Sequence, residues 1–157
     1  MKQLLVFILI SNLFSQSIFP NNKVQLINSK TTNMYNLTSE VTFISFWATW
    51  CLPCLKEIDK VNEFIDDFDN VSVVLINEDK PGDKAKVKSF IRSRRYPVDD
   101  NYHIIFDFDK KLSRYFNAQP IPLTLILKNN KIVYRKRGFF VGDEIDLKKQ
   151  LGRALND

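Results

Sequence analysis

This chain has few residues on which redox or metal chemistry could depend. Its 157 residues include two cysteines and one histidine. That inventory excludes a disulfide-stapled mini-protein, a four-cysteine zinc site and every motif that needs two histidines. Four glycines and six prolines exclude collagen-like and low-complexity classes. Apolar residues nevertheless make up 45% of the chain, which is enough for a core. The length predicts a single globular domain.

The chain also lacks a strong excess of charge of either sign. The chain has 23 basic and 18 acidic residues and a net charge of +5, and we expect this modest excess mainly to keep the protein in solution. The sequence contains no phosphate loop or nucleic-acid module, so no nucleic-acid partner is predicted. The basic stretch at residues 84–95 predicts either a solvated helix face or a partner-docking face.

The first 17 residues have the pattern of a secretory signal peptide. Lys2 gives one positive charge, an apolar run follows at residues 4–10, and small residues stand at Ser15 and Ser17. This run is shorter than the about 20 apolar residues that span a bilayer. We therefore predict cleavage after Ser15 or Ser17 and an exported domain at residues 18–157, in the periplasm or cell envelope. The alternatives are an uncleaved membrane anchor and a hydrophobic first strand.

Two buried strands and the helix between them are the clearest local predictions. Residues 41–47 and 71–76 are almost continuously apolar, which is typical of strands buried on both faces. Between them, apolar residues recur at steps of three and four from Leu55 to Phe68. That period predicts an amphipathic helix of about four turns.

The rest of the chain continues to alternate between strand and helix patterns. This order predicts an α/β fold whose mainly parallel sheet is covered by helices and ends in an antiparallel hairpin. The further predicted elements are an edge hairpin or irregular lead-in at residues 24–27 and 34–37, a turn at 81–83 with Asp83 as helix cap, a helix that ends before Tyr96, a strand at 103–106, a short helix at 109–116, strands at 123–127 and 132–137, and a last helix capped by Asp143.

Both cysteines lie in the motif Cys51-Leu52-Pro53-Cys54. The spacing fits half of a zinc site, a structural disulfide or a dithiol redox centre. The motif falls where a buried strand gives way to a helix, and the helix N-terminus stabilises a thiolate. Proline suits the first helical turn because its missing N–H is not needed there. We therefore favour the redox centre and predict no metal site, because zinc would need further ligands that this chain scarcely offers.

The motif and a second landmark resemble the thioredoxin superfamily. Residues 46–54 (FWATWCLPC) are similar to its active-site segment, most closely in the exported TlpA/ResA-like thiol–disulfide oxidoreductases, and residues 119–124 (QPIPLT) are similar to its cis-proline loop. The resemblance implies a thioredoxin-like fold with a central mixed sheet, a parallel core plus the C-terminal antiparallel hairpin. Cys54 and Pro122 are 68 positions apart, which fits the central insertion of the TlpA/ResA group.

The resemblance also implies a mechanism. Cys51 would attack a protein disulfide, and Cys54 would resolve the mixed disulfide, with no cofactor beyond this dithiol. The backbone of Ile121, beside a cis Pro122, would pair with the substrate chain as an added strand. Trp50 would border the site, with core packing as the alternative. The substrate-binding set expected on this basis is Trp50, Pro53, Ile121 and Pro122.

Acidic residues near the motif could move protons. Glu57 follows Cys54 by three residues, hence lies on about the same helix face, and the TlpA/ResA resemblance supports a proton relay or thiol tuning there. The alternative is a residue that only complements the helix dipole. Ser45 stands where thioredoxin has a buried acid, which shifts this task to Glu57 or water. Asp59 stands where the family often has a kinking proline, and Glu78 follows a strand end as a weaker candidate.

Several functions remain open on the sequence alone. The first hypothesis is an exported, monomeric reductase of protein disulfides. It would receive electrons from a membrane thiol transporter. Some members of the family that it resembles act in cytochrome c maturation. An oxidase or isomerase on the same fold is the second, and a redox-regulated binding module with little turnover is the third. A thiol peroxidase is weaker because its cysteine motif is absent. We expect His103, the only histidine, to be a strand-edge residue rather than a copper ligand.

Overall fold

A computed structural model describes residues 18–156 and gives seven strands and four α-helices in this part of the chain. The strands are β1 (Lys23–Leu26), β2 (Thr31–Asn33), β3 (Val41–Trp47), β4 (Val71–Asn77), β5 (Tyr102–Phe106), β6 (Leu123–Lys128) and β7 (Lys131–Arg137). The helices are α1 (Leu52–Asn62), α2 (Lys84–Arg94), α3 (Lys111–Tyr115) and α4 (Asp143–Asn156). Three 3₁₀ turns complete the chain, at Met34–Leu37, Ile65–Asp67 and Pro81–Asp83.

The strands form one mixed sheet in the order β2-β1-β5-β4-β3-β6-β7. Strands β3, β4 and β5 run parallel to one another. The four other strand pairings of this seven-stranded sheet are antiparallel. The predicted parallel core and C-terminal hairpin are confirmed, but the expectation of a mainly parallel sheet is wrong. Helix α3 spans only about 7.5 Å at 1.5 Å per residue, too little to return the chain to the far edge. Strand β6 therefore starts where β5 ends and runs antiparallel to β3.

The sheet separates two apolar cores. One core holds Phe43, Trp47 and Val73 against α1, α2 and α4, and the other holds Ile44 and Phe46 against the β1–β2 hairpin and α3. All seven residues of β3 are buried, as its continuous apolar pattern predicts. The central unit α2–β5 adds a strand beside β4, where the resemblance implies an insertion.

Three local predictions differ from the structure. Helix α1 ends at Asn62 rather than near Phe68, because the N–H groups of Glu63 and Phe64 already bond three residues back, in the tighter 3₁₀ pattern. The 34–37 segment is a 3₁₀ turn and not a strand, so the lead-in hairpin is β1–β2. Asp83 precedes α2 as predicted, but its side chain makes no capping hydrogen bond.

The N-terminal end of the described chain is tied to the sheet. Ile18 bridges to Lys131, and the Phe19 N–H donates to the Asn130 carbonyl at 2.8 Å. Phe19 is fully buried and stacks on Phe116, with ring centroids 4.7 Å apart. The predicted signal peptide at residues 1–17 lies outside the described residues. Within residues 18–156, no helix has the length and apolar character needed to cross a bilayer.

Candidate active site

The two cysteines form a disulfide at the N-terminus of α1. Cys51 is the residue that caps the helix, and its Sγ accepts the Cys54 N–H at 3.3 Å. Pro53 lies within the first turn, as predicted. Cys51 is 5% exposed and Cys54 is fully buried. Cys51 is therefore the slightly more exposed of the two cysteines, and the helix N-terminus favours its thiolate form.

The loop before β6 faces the disulfide. The Ile121 carbonyl oxygen lies 3.8 Å from Cys51 Sγ. The Ile121–Pro122 peptide bond is cis, in agreement with the resemblance, and the Gln119–Pro120 bond, for which no expectation was stated, is cis as well. Ile121 is half-buried and Pro122 is buried. The structure thus brings together all four residues that the motif and the proline loop predict at the centre of the site: Cys51, Cys54, Ile121 and Pro122.

Exposed apolar side chains flank Cys51 along the chain. Trp50 is 62% exposed and Leu52 is 70% exposed, so the alternative that Trp50 packs in the core is wrong; Trp47 takes that place. A second apolar segment, Phe140 and Val141, follows Gly138, whose N–H donates to the Pro122 carbonyl at 2.9 Å. This segment was not predicted from the sequence, because it has no motif and is adjacent to the cis-proline loop only through the β6–β7 pairing.

Glu57 is a buried carboxyl group and not a surface residue that complements the helix dipole. Its side chain is 1% exposed, and it accepts hydrogen bonds from the hydroxyls of Ser45, at 2.5 Å, and Thr124. Burial raises the pKa of Glu57 to about 7, and the two hydroxyls only partly offset that effect. A carboxyl with a pKa near neutrality exchanges protons readily at physiological pH.

Ser45 has a use that the sequence alone did not reveal. Ser45 on β3 and Thr124 on β6 are direct cross-strand partners, so both hydroxyls point to the same side and meet at Glu57. The expectation that proton handling shifts from the position of Ser45 to Glu57 stays a prediction, and the Ser45 hydroxyl donates a hydrogen bond to that carboxyl group. The acid comes from α1 instead of β3.

Asp79 is a site residue that was not among the sequence-based candidates. Its carboxylate accepts the Thr49 N–H at 2.8 Å, the Thr49 hydroxyl at 2.7 Å and the Asn77 amide at 2.8 Å. These bonds tie the turn that precedes Cys51 to the end of β4. The parallel pairing of β3 with β4 places the two strand ends side by side. The prediction of two adjacent parallel strands was therefore the signal in the sequence from which this contact could have been inferred.

The other titratable candidates lie apart from the disulfide. Glu78 is buried and pairs with Lys110 at 3.0 Å, and burial raises its pKa. His103 pairs with Val74 in the sheet, and burial lowers its pKa. Within residues 18–156, no cluster of three or more His, Cys, Asp or Glu residues is arranged to hold a metal ion. In the basic stretch, Arg94 pairs with Asp59 at 2.8 Å.

Comparison with known proteins places this chain in a family. A family model described as "AhpC/TSA family" matches residues 16–136. The chain belongs to the AhpC/TSA family. The match covers the disulfide, Glu57 and the cis-proline loop, and it therefore includes the central residues of the site described above.

Curated relatives of this AhpC/TSA family member are named Thiol-disulfide oxidoreductase ResA. A protein of that name from Bacillus cereus is 27% identical over 115 residues, which cover 73% of this chain and 64% of the relative. The one from Bacillus subtilis (strain 168) is 27% identical over 108 residues, covering 69% and 58%. The chain thus spans less than two thirds of the length of these relatives.

Solved structures confirm the predicted fold class. A thioredoxin-like protein from Porphyromonas gingivalis has a TM-score of 0.73 at 27% identity, covering 88% of this chain and 92% of that one. The Chlorobium tepidum protein assigned as a thiol:disulfide interchange protein DsbE has a TM-score of 0.76 at 21% identity, covering 89% and 96%. This AhpC/TSA family member therefore has a thioredoxin-like α/β fold.

Proposed function

We propose that this protein is an exported thiol–disulfide oxidoreductase that reduces disulfides in other proteins. The observation that supports this most directly is the Cys51–Cys54 disulfide at the N-terminus of α1, with the sulfur of Cys51, the more exposed of the two residues, beside the Ile121 carbonyl. The ResA relatives carry the name of this activity, and the sequence pattern of residues 1–17 supports export.

The reaction begins from the reduced dithiol. The Cys51 thiolate attacks one sulfur of the partner's disulfide, forms a mixed disulfide and releases the other partner sulfur as a thiolate, which takes up a proton. Cys54 then attacks Cys51, and its thiol proton passes to the Glu57 carboxylate. The second partner sulfur leaves as a thiol after protonation. Two electrons move from the dithiol to the partner, and the enzyme finishes as the Cys51–Cys54 disulfide.

The partner chain binds in an extended conformation along the cis-proline loop. The Ile121 carbonyl beside Cys51 offers an acceptor for a partner N–H, in the manner of an added strand. Trp50, Leu52 and Pro53 supply exposed apolar surface on the other side of the sulfur. Because main-chain bonds carry little sequence information, this mode of binding suits several protein substrates.

A trapping experiment tests the activity. C54S keeps the attacking thiol but cannot resolve the intermediate, so it should accumulate mixed disulfides with protein substrates in cell-envelope extracts. C51S, the matched control, should trap almost none, because the buried Cys54 is out of reach. Equal retention of the same partners by the double C51S/C54S variant would instead establish a binding module. Consumption of hydrogen peroxide by the wild-type protein at a rate comparable with thiol–disulfide exchange would favour a peroxidase.

The direction of the reaction is tested by the midpoint potential of the Cys51–Cys54 couple. Equilibration in thiol redox buffers should give a value well below about −200 mV, toward the thioredoxin end of the range. A potential near about −120 mV would point to disulfide insertion instead.

A reductase of this kind needs a membrane thiol transporter as its electron donor. Cytochrome c maturation is one process that uses the reduced proteins that such an enzyme produces. We also expect the protein to be a monomer.

A further inference from the structure

A charged pair lies next to the buried Glu57 carboxyl group on its solvent side. Thr124, which donates to Glu57, is the cross-strand partner of Lys136 on β7. Cross-strand partners project from the same face of a sheet, with Cβ atoms about 5 Å apart. Lys136 pairs with Asp143, the first residue of α4. A series of neighbouring side chains thus connects the buried Glu57 carboxyl, through Thr124, with the Lys136–Asp143 ion pair.

The Lys136–Asp143 pair is half-buried, and a backbone hydrogen bond to Asp143 anchors it. The side chains of Lys136 and Asp143 are 28% and 22% exposed, so the pair lies at the boundary between the core and water. The other carboxylate oxygen of Asp143 accepts the Phe140 N–H at 2.8 Å. The pair is therefore fixed to the apolar segment that adjoins the cis-proline loop, and it is not a freely moving surface contact.

Few other charged groups face Glu57. Ser45 on β3 and Thr124 on β6 are neutral, and Cys54 on α1 is in a disulfide. Tyr134 on β7 donates to Asp146 of α4 at 3.0 Å, and burial raises the pKa of this tyrosine above its usual range, which keeps it neutral. Among residues 18–156, Lys136 is the cation that lowers the pKa of Glu57, and Asp143 raises it.

We infer that the Lys136–Asp143 ion pair sets the charge state of Glu57 and thereby the proton step at Cys54. This inference rests on the proposed function. Lys136 offsets part of the desolvation of the carboxylate, which keeps Glu57 able to lose its proton near neutral pH and to accept the next one from Cys54. Without this cation a larger fraction of Glu57 stays protonated at neutral pH and cannot take the proton of Cys54. Lys136 is a positioning residue in this scheme, because it acts through Glu57 and does not touch the sulfurs.

The titration of Glu57 itself provides the test. In the oxidised protein, ¹³C NMR of the Glu57 carboxyl, assigned with E57Q, gives its midpoint without any need for redox turnover. K136M should raise that midpoint by about half a pH unit or more, since it removes a favourable charge. D143N should lower it, K136R should leave it near the wild-type value, and K148M should not move it. Lys148 is a suitable control, because it is an exposed residue of α4 and also pairs with an aspartate, Asp67.

A second readout connects the charge state to the chemistry. The pH profile for the resolution of a mixed disulfide with a model peptide should shift upward in K136M and return to the wild-type profile in K136R. An unchanged Glu57 midpoint in both K136M and D143N overturns the inference, whatever the redox activity. A shifted midpoint in a protein whose C54S variant traps no substrate supports the inference while the proposed function fails. If K136M does not fold, D143N alone decides between these outcomes.

Discussion

At the scale of single residues, the main feature is a carboxyl group that is buried without a direct positive partner. Glu57 is held by two hydroxyls, and Lys136, the cation that favours its charged form, lies on β7, one strand beyond Thr124. Burial of a charge costs more than two hydroxyl hydrogen bonds return. This cost falls three residues after the buried Cys54 on the same helix, where the proposed exchange needs a proton carrier.

The pH dependence of stability should reveal this cost. Below about pH 4.5 folded and unfolded chains both hold the Glu57 proton; between there and about 7 only the folded chain does. The stabilising contribution is therefore present at low pH and is lost as the pH rises through about 7. E57Q, permanently neutral, should match the wild type near pH 4.5 and become more stable than it at pH 8, by up to about 3 kcal/mol.

Urea unfolding of the oxidised protein between pH 4.5 and 8 measures this difference. E63Q is the matched control, because Glu63 closes the same helix and has an exposed side chain, and its difference from the wild type should stay flat. A difference between E57Q and the wild type that is equally flat would show that Glu57 is not protonated in the folded protein at pH 6.

At the scale of elements, the turn between β3 and α1 is the part that positions the reactive sulfur. Residues 48–51 make few backbone hydrogen bonds of their own, the Cys51 N–H to the Ala48 carbonyl at 3.1 Å being one. The carboxylate of Asp79 supplies the missing acceptors for Thr49. The loop is thus fixed by the end of the neighbouring strand, and the geometry of Cys51 depends on β4 as much as on α1.

Removal of that carboxylate should loosen the turn. D79A leaves the half-buried Thr49 N–H, the Thr49 hydroxyl and the Asn77 amide without their acceptor, and should destabilise the protein by about 2–4 kcal/mol. D79N, which keeps one acceptor oxygen, should lose less. Hydrogen exchange at the Thr49 amide, measured together with urea unfolding, checks this. Protection of that amide in D79A equal to the wild type would show that the turn holds itself.

At the scale of the whole molecule, two cores share one sheet. The β3 strand contributes side chains to both cores, and Phe19 closes the core on the α3 side from the far end of the chain. Because both cores depend on the same central strands, neither can lose its packing alone. We therefore expect residues 18–157 to unfold as one cooperative unit.

This cooperativity has a direct measurement. W50F leaves Trp47, fully buried in the core on the α1 side, as the only tryptophan. Its fluorescence and the far-UV circular dichroism should follow the same urea transition. F19A, which opens the opposite core, should move both transitions together by about 3–5 kcal/mol. Separate midpoints for the two signals would show two independently unfolding units.

The sequence by itself determined those features that depend on near neighbours along the chain. The apolar runs of β3 and β4, the helical period after Pro53 and the strand-to-helix position of Cys51 all depend on a few consecutive residues, and the structure has them as predicted. The structure departs from the local pattern at the C-terminus of α1 and at residues 34–37, which form a 3₁₀ turn.

Only the tertiary structure decided the direction of β6 and what surrounds Glu57. Thr124 follows Glu57 by 67 residues, and the two meet because α3 is too short to carry the chain across the sheet. The hydroxyl of Ser45, the carboxylate of Asp79 and the ammonium group of Lys136 gain their roles from strand pairing. No local period or motif contains that information, because hydrogen bonds and charges act between neighbours in space whatever their separation along the chain.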